Sequence, residues 1–214
     1  MKVHLRFPIY SHLDKVTSAW WASLMYQMGW ADSVDEGQIL PGIVISSAEL
    51  HWSTAGPAQA RNEIVEEFLK TDATHLWMID SDIQPPKRLD LLSIARDMNV
   101  KVLSGVYYGY SDMGGIRSYP CIYNKAGALS WSSIAAVPEG LPNLRHYDAS
   151  GAGCLLVHRE VLEGIKYPWF EYGITEGGAL IGEAFMFFNK THGVTVLTTY
   201  LCEHFKVAPV SAIG

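Results

Sequence analysis

The apolar run Leu76-Trp77-Met78-Ile79 passes straight into Asp80-Ser81-Asp82, and Pro85-Pro86 prevents the strand it forms from continuing normally. Two carboxylates at i and i+2 therefore stand at a strand's carboxyl end. There they can address one cation without helical geometry. Ligands of open parallel sheets gather outside the carboxyl ends of the strands, so the position of this motif says more than its letters.

The residues before it alternate between strand and helix periods. Val3, Leu5, Phe7 and Ile9 fall on one side of a strand, with His4 and Arg6 on the other. Leu13, Val16, Trp20, Leu24 and Met28 form a helical stripe that Gly29 can terminate. Ile43-Val44-Ile45 reads as a buried strand, and Ala60, Ile64, Phe68 and Leu69 share one helical face after Pro57. A helix over 86–98 and a strand over 100–104 extend the series, which implies parallel strands joined by helical crossovers.

Beyond residue 105 the character changes. Residues 107–145 are rich in Gly, Ser, Pro and Tyr and predict a hairpin turning near Lys125-Ala126-Gly127. A strand over 154–157, a helix over 182–191 stopped by Gly193 and a strand over 194–201 ending near His204 follow. The fold class expected is α/β: a Rossmann-like, mostly parallel sheet flanked by helices, with a mixed C-terminal half. At 214 residues and 49% hydrophobic, the chain reads as a single domain. About residues 1–105 read as a nucleotide-binding half, followed by a second half over 106–214.

A net charge of −6 and the lack of a dense Lys/Arg run give no support to nucleic acid as a partner. No apolar stretch suggests a signal peptide or a membrane span, so a cytoplasmic, soluble protein is expected. Cys121, Cys154 and Cys202 are odd in number and widely spaced, which favours buried thiols over disulfides or a zinc knuckle.

The segment Ala60-Arg61-Asn62-Glu63 through His75-Leu76-Trp77-Met78-Ile79-Asp80-Ser81-Asp82-Ile83 resembles the donor-binding half of GT-A glycosyltransferases, closest to small bacterial and bacteriophage members. The resemblance implies a nucleotide-sugar donor, with a uridine diphosphate sugar the commonest, and a Mn²⁺ or Mg²⁺ cofactor bridging its diphosphate. It makes Asp82 the stronger metal ligand, Asp80 its partner and Ser81 part of the donor loop. His204 takes the place of the histidine that completes the metal site in many members, and Glu203 is the alternative ligand. Imidazole suits Mn²⁺ better than Mg²⁺.

The same resemblance covers Ser150-Gly151-Ala152-Gly153-Cys154, similar to the glycine-containing strand that lines the sugar pocket; Gly151 and Gly153 would permit close backbone approach to a ligand, or mark a bulge. Arg61 would reach the donor or brace the Asp-x-Asp carboxylates, unless it pairs with Glu66 on the helix surface. Pro8 and Tyr10 match the region that contacts the nucleoside, with the Tyr10 ring available to stack. Tyr107, Tyr108, Trp169 and Phe170 are candidates for acceptor contact or for the core.

One departure concerns the base. Inverting relatives carry Glu then Asp at the start of the helix before the last strand, whereas here Gly182-Glu183-Ala184 keeps only the Glu. Glu183 could remove a proton from an acceptor hydroxyl, or a retaining reaction would need no base. The acceptor could be a glycan, a small molecule or a modified DNA base. The competing readings are a nucleotide-sugar-binding protein without transferase activity, and a phosphohydrolase or phosphotransferase with Asp80 as nucleophile. Against the latter, haloacid-dehalogenase-like chains usually start at their Asp-x-Asp strand, and no convincing later Lys and paired-Asp motifs appear here.

Overall fold

The computed structural model describes residues 1–9, 38–40, 42–86, 90–111, 117–139 and 143–205. The helical stripe expected over 13–28 and the nucleoside contact Tyr10 lie outside them.

The first half contains β1 (Lys2–Ile9), β2 (Gln38–Leu40), β3 (Ile43–Trp52), α1 (Pro57–Leu69), β4 (His75–Ile79), β5 (Ile83–Gln84), α2 (Asp90–Asp97) and β6 (Val102–Val106). The second half opens with β7 (Tyr108–Ser111), β8 (Arg117–Pro120), β9 (Ile122–Gly127), β10 (Ser130–Ser133), β11 (Leu144–Tyr147) and β12 (Ala149–Ser150). It continues with β13 (Cys154–His158), α3 (Arg159–Gly164), β14 (Gly173–Ile174), β15 (Leu180–Ile181), α4 (Glu183–Thr191), β16 (Val194–Leu201) and β17 (Glu203–His204).

Eight strands form one sheet in the order β11-β16-β6-β13-β4-β1-β3-β2. β1 is parallel to both β3 and β4, and β16 is parallel to β6. β13 enters antiparallel between β4 and β6, so the carboxyl ends of β4, β6 and β16 still share one edge. The mostly parallel, mixed sheet expected from the alternation is the one found. The hairpin is there too, with β9 and β10 paired antiparallel around residues 128–129.

Some bounds differ. β3 runs seven residues past Ile45, because its polar positions Ser47, Glu49 and His51 turn toward charged groups of β1 and α1 instead of marking an end. β6 begins at Val102 and reaches Val106 rather than spanning 100–104, and the described part of the helix expected over 86–98 is Asp90–Asp97.

Both sheet faces are covered. Val3, Leu5, Phe7, Ile45, Trp77 and Ile79 pack in one cluster, and Ile64, Phe68, Leu76, Met78, Leu155 and Val157 in the other. That explains why all five β4 residues are buried and its sequence runs apolar without alternation. His4 and Arg6, on the opposite side of β1 from Val3 and Leu5, are buried as well. The His4 ring stands against Phe68 of α1, while Arg6 pairs with Glu49 of β3 and Glu67 of α1.

The C-terminus of α1 carries no basic residue of its own. Arg159 takes that role from across the fold, donating to the carbonyls of Phe68, Leu69, Thr71 and Ala73 while its guanidinium lies over the Phe68 ring. A cation thus sits against carbonyls in and just after the last turn of the helix, as the helix dipole favours.

Candidate functional site

The site is built where β4 ends. Asp80 and Ile83 close a turn through the Ile83 N–H donating to the Asp80 carbonyl at 2.9 Å, which swings Ser81 and Asp82 off the sheet edge. The Asp80 N–H donates to the Gly153 carbonyl at 2.9 Å, fixing the turn to the start of β13.

The two carboxylates meet different surroundings. Asp80 points inward, its side chain 19% exposed, and both its oxygens accept from one Arg61 nitrogen at 2.8 and 3.0 Å. Arg61 is buried on α1 and also donates through Nε to Glu183 Oε1 at 3.4 Å. Of the alternatives for Arg61, the structure thus has it bracing the Asp-x-Asp motif, not pairing on the helix surface. Burial raises the Asp80 carboxyl above its ordinary value; Arg61 opposes the rise, and the negative charges of Asp82 and Glu183 add to it. Three carboxylates near one guanidinium leave this corner of the sheet edge electronegative.

Asp82 points outward, its side chain 45% exposed, and its Oδ2 lies 3.1 Å from His204 Nε2. This meeting of residues 122 apart is made by the short ladder in which His204 pairs with Ile83 and Glu203 with Gln84. The Phe205 N–H donating to the Asp82 carbonyl at 2.8 Å extends it.

The tautomer of His204 follows from its other contact. Nδ1 lies 2.7 Å from the Tyr108 carbonyl, which can only accept, so Nδ1 carries a proton. A neutral ring then presents the Nε2 lone pair to a carboxylate oxygen. Two acceptors at 3.1 Å repel unless a proton or a metal ion lies between them. Adjacent ligands of an octahedral cation with bonds of about 2.1 Å stand about 3 Å apart, so this pair fits two corners of such a site. The Nδ1 anchor to a backbone carbonyl is the usual support of a metal-binding imidazole.

Asp80, the third expected metal ligand, is given over to Arg61. Among the described residues no three His, Cys, Asp or Glu side chains converge as a metal-binding group. Of the three expected ligands, the structure brings together the Asp82 carboxylate and the His204 imidazole. Beside it lies a cavity of about 420 Å³ lined by Tyr108, Ser118, Cys202, Glu203 and His204, within the size range of small-molecule sites.

Glu183 sits in the first turn of α4, directly after the Gly182 cap, and its side chain is 14% exposed. Pro8 is buried near the carboxyl end of β1. Gly151 and Gly153 do not leave open room: a Cβ on Gly151 would come 1.8 Å from the Tyr107 hydroxyl oxygen, and one on Gly153 would meet the same ring at 3.0 Å. Trp169 and Phe170 belong to the core, where the indole N–H donates to the Leu162 carbonyl and Phe170 stacks on Phe187. Phe170 is held by Asn62, whose amide exchanges two hydrogen bonds with its backbone at 2.8 and 2.9 Å.

Sequence reasoning passed over several exposed apolar residues. Trp52 ends β3 with its ring 59% exposed, and Tyr172, Ile174 and Leu180 are exposed apolar residues just before α4.

No protein-family model matches the sequence, and neither does any curated protein. Solved structures do match. A197 from STIV aligns with a TM-score of 0.63 at 19% identity, covering 96% of this chain and 86% of that one. GalNAc-T7, solved with UDP, GalNAc and Mn²⁺, aligns with a TM-score of 0.60 at 11% identity over 96% of this chain. The fold is GT-A-like. The GT-A-like chain corresponds to 44% of the GalNAc-T7 chain, and at these identities the likeness concerns the fold. Among the described residues of this GT-A-like chain, no helix is long and apolar enough to cross a membrane.

Proposed function

We propose that the chain is a metal-dependent glycosyltransferase acting on a nucleotide-sugar donor, with a uridine diphosphate sugar the first to test. The observation that carries the reading is the Asp82–His204 pair, a carboxylate oxygen and an imidazole nitrogen held 3.1 Å apart at the carboxyl edge of the sheet. The fold shared with GalNAc-T7, a structure containing UDP and Mn²⁺, supports it.

Asp82 and His204 would hold Mn²⁺ or Mg²⁺, which when bound neutralises diphosphate charge and improves the nucleoside diphosphate as a leaving group. Arg61 keeps Asp80 and Glu183 in fixed relation, so Asp80 shapes the turn and adds negative charge near the cation. Ser81 stands in the turn between the two Asp residues; with Pro8 and Tyr10 it would contact the donor, the last two at its nucleoside. Glu183 receives the proton of the acceptor hydroxyl, the role that Ala184 cannot fill. A nucleophilic role for Asp80 is poorly served, since Arg61 engages both of its oxygens.

Calorimetric titration of UDP, GDP, CDP and dTDP, each with Mn²⁺ or EDTA, tests the reading on the native protein, Asp82→Ala and His204→Ala. Metal-dependent binding of one nucleotide, lost in both variants, is expected. Failure of every nucleotide to bind the folded protein would sink the transferase. Nucleotide binding with no turnover of any sugar donor, even to water, would favour a binding protein.

A further inference from the structure

The ring of Tyr107 occupies the space that Gly151 and Gly153 leave open. Its hydroxyl oxygen accepts from the Gly153 N–H at 3.2 Å, and the carbonyl of that same residue accepts the Asp80 N–H. On another side the ring meets the His204 imidazole edge to face, with centroids 5.4 Å apart and planes at 82°. The next residue, Tyr108, supplies the carbonyl that fixes His204 Nδ1. The Tyr107 carbonyl itself accepts from Cys121, whose own carbonyl takes the Gly151 N–H, so the tyrosine's backbone is tied to the same glycine segment.

We propose that Tyr107 is a positioning residue of the cation site: wedged into the Gly151–Gly153 hollow, it fixes the Asp80–Asp82 turn and the His204 ring relative to each other. The two glycines then serve the tyrosine and not a sugar. An alanine at 151 would expel the phenol, because the clash falls on the stiff end of an aromatic ring and not on a flexible chain. The ligands come from segments distant in sequence that the β5–β17 ladder brings together, and buried contacts of this kind help hold their donor atoms at the spacing a cation needs. Phenol to phenyl removes the hydrogen bond to Gly153 and keeps the ring against His204. A smaller apolar residue removes both.

The inference rests on Asp82 and His204 binding a cation, and the test separates the two. Mn²⁺ alone is titrated into the intact protein, with free Mn²⁺ read by electron paramagnetic resonance, so that no turnover is involved. Asp82→Ala reports on the site itself. Tyr107→Leu and Gly151→Ala should weaken Mn²⁺ about 10- to 100-fold, the usual range for lost support of a metal ligand, and Tyr107→Phe, which keeps the ring, by less, roughly 3- to 10-fold. Leu162→Ala, a core substitution away from the site, sets the comparison. It should lower stability and leave Mn²⁺ affinity unchanged. If the native protein binds Mn²⁺, Asp82→Ala does not, and the Tyr107 and Gly151 variants bind like the native protein, the positioning role is refuted while the cation site stands. If the native protein binds no Mn²⁺, the cation site fails first and the inference falls with it.

Discussion

Replacing Arg61 by Met tests the electrostatic frame of the site. The guanidinium is almost wholly buried, and its loss leaves the Asp80 carboxylate inside the fold, near the charges of Asp82 and Glu183, without its counter-charge. Breaking one side of a buried ion pair costs about 3–5 kcal/mol. Asp80 retains partial exposure and can take up a proton, so the expected cost lies at the low end, about 3 kcal/mol near neutral pH. Without Arg61 the Asp80 carboxyl rises further above its unfolded value. A group raised in the folded state adds stability below its unfolded pKa and loses it as pH rises through the folded one, so Arg61→Met should be less destabilising at pH 5 than at pH 7.5. Adding Asp80→Asn removes the stranded charge, and the double-variant cycle should show a coupling of about 2 kcal/mol. Urea unfolding followed by tryptophan fluorescence, with an unchanged denaturant slope, measures all three variants. A cost below about 1 kcal/mol, or no coupling, would mean that solvent already screens the pair.

Three further outcomes are expected. Arg159→Ala removes a donor shared by four carbonyls in and just after the last turn of α1 and should cost about 2–4 kcal/mol in urea unfolding, of which Arg159→Lys recovers less than half because one ammonium cannot span the four acceptors. Burial, with positive neighbours Arg6 and Arg159, lowers His4 to about 4, and burial beside His158 lowers His75 to about 4. Their neutral forms stabilise the fold fully above pH 6.5 and are lost as pH falls toward 4, so each should cost about 2 kcal/mol at pH 5, seen as a drop in urea midpoint that His75→Gln reduces. Asn62→Leu strands the Phe170 N–H and carbonyl, and should lower stability by about 2–4 kcal/mol and speed amide exchange at Phe170.

Burial period is a local property, so the strands over 3–9, 154–157 and 194–201 and the helix beginning at Gly182 were legible from spacing alone. The same holds for the acidic turn, since Asp80 follows an apolar run that has to lie inside. Trp169 and Phe170 were ambiguous because an aromatic residue looks the same in sequence whether it meets a ligand or, as here, Leu162 and Phe187. Gly151 and Gly153 pointed to a close approach without saying of what. The approaching group is a side chain more than forty residues earlier.

The sequence by itself determined the α/β class, the strand-end location of Asp80 and Asp82, and Glu183 at the head of a helix, because each follows from patterns within a few residues. Only the tertiary structure decided that Arg61 joins Asp80 to Glu183, that His204 faces Asp82, and that Tyr107 fills the glycine hollow. Those contacts depend on β13 lying antiparallel between β4 and β6 and on β17 returning to β5, an ordering set by how the whole sheet buries its two faces and carried by no single stretch of chain.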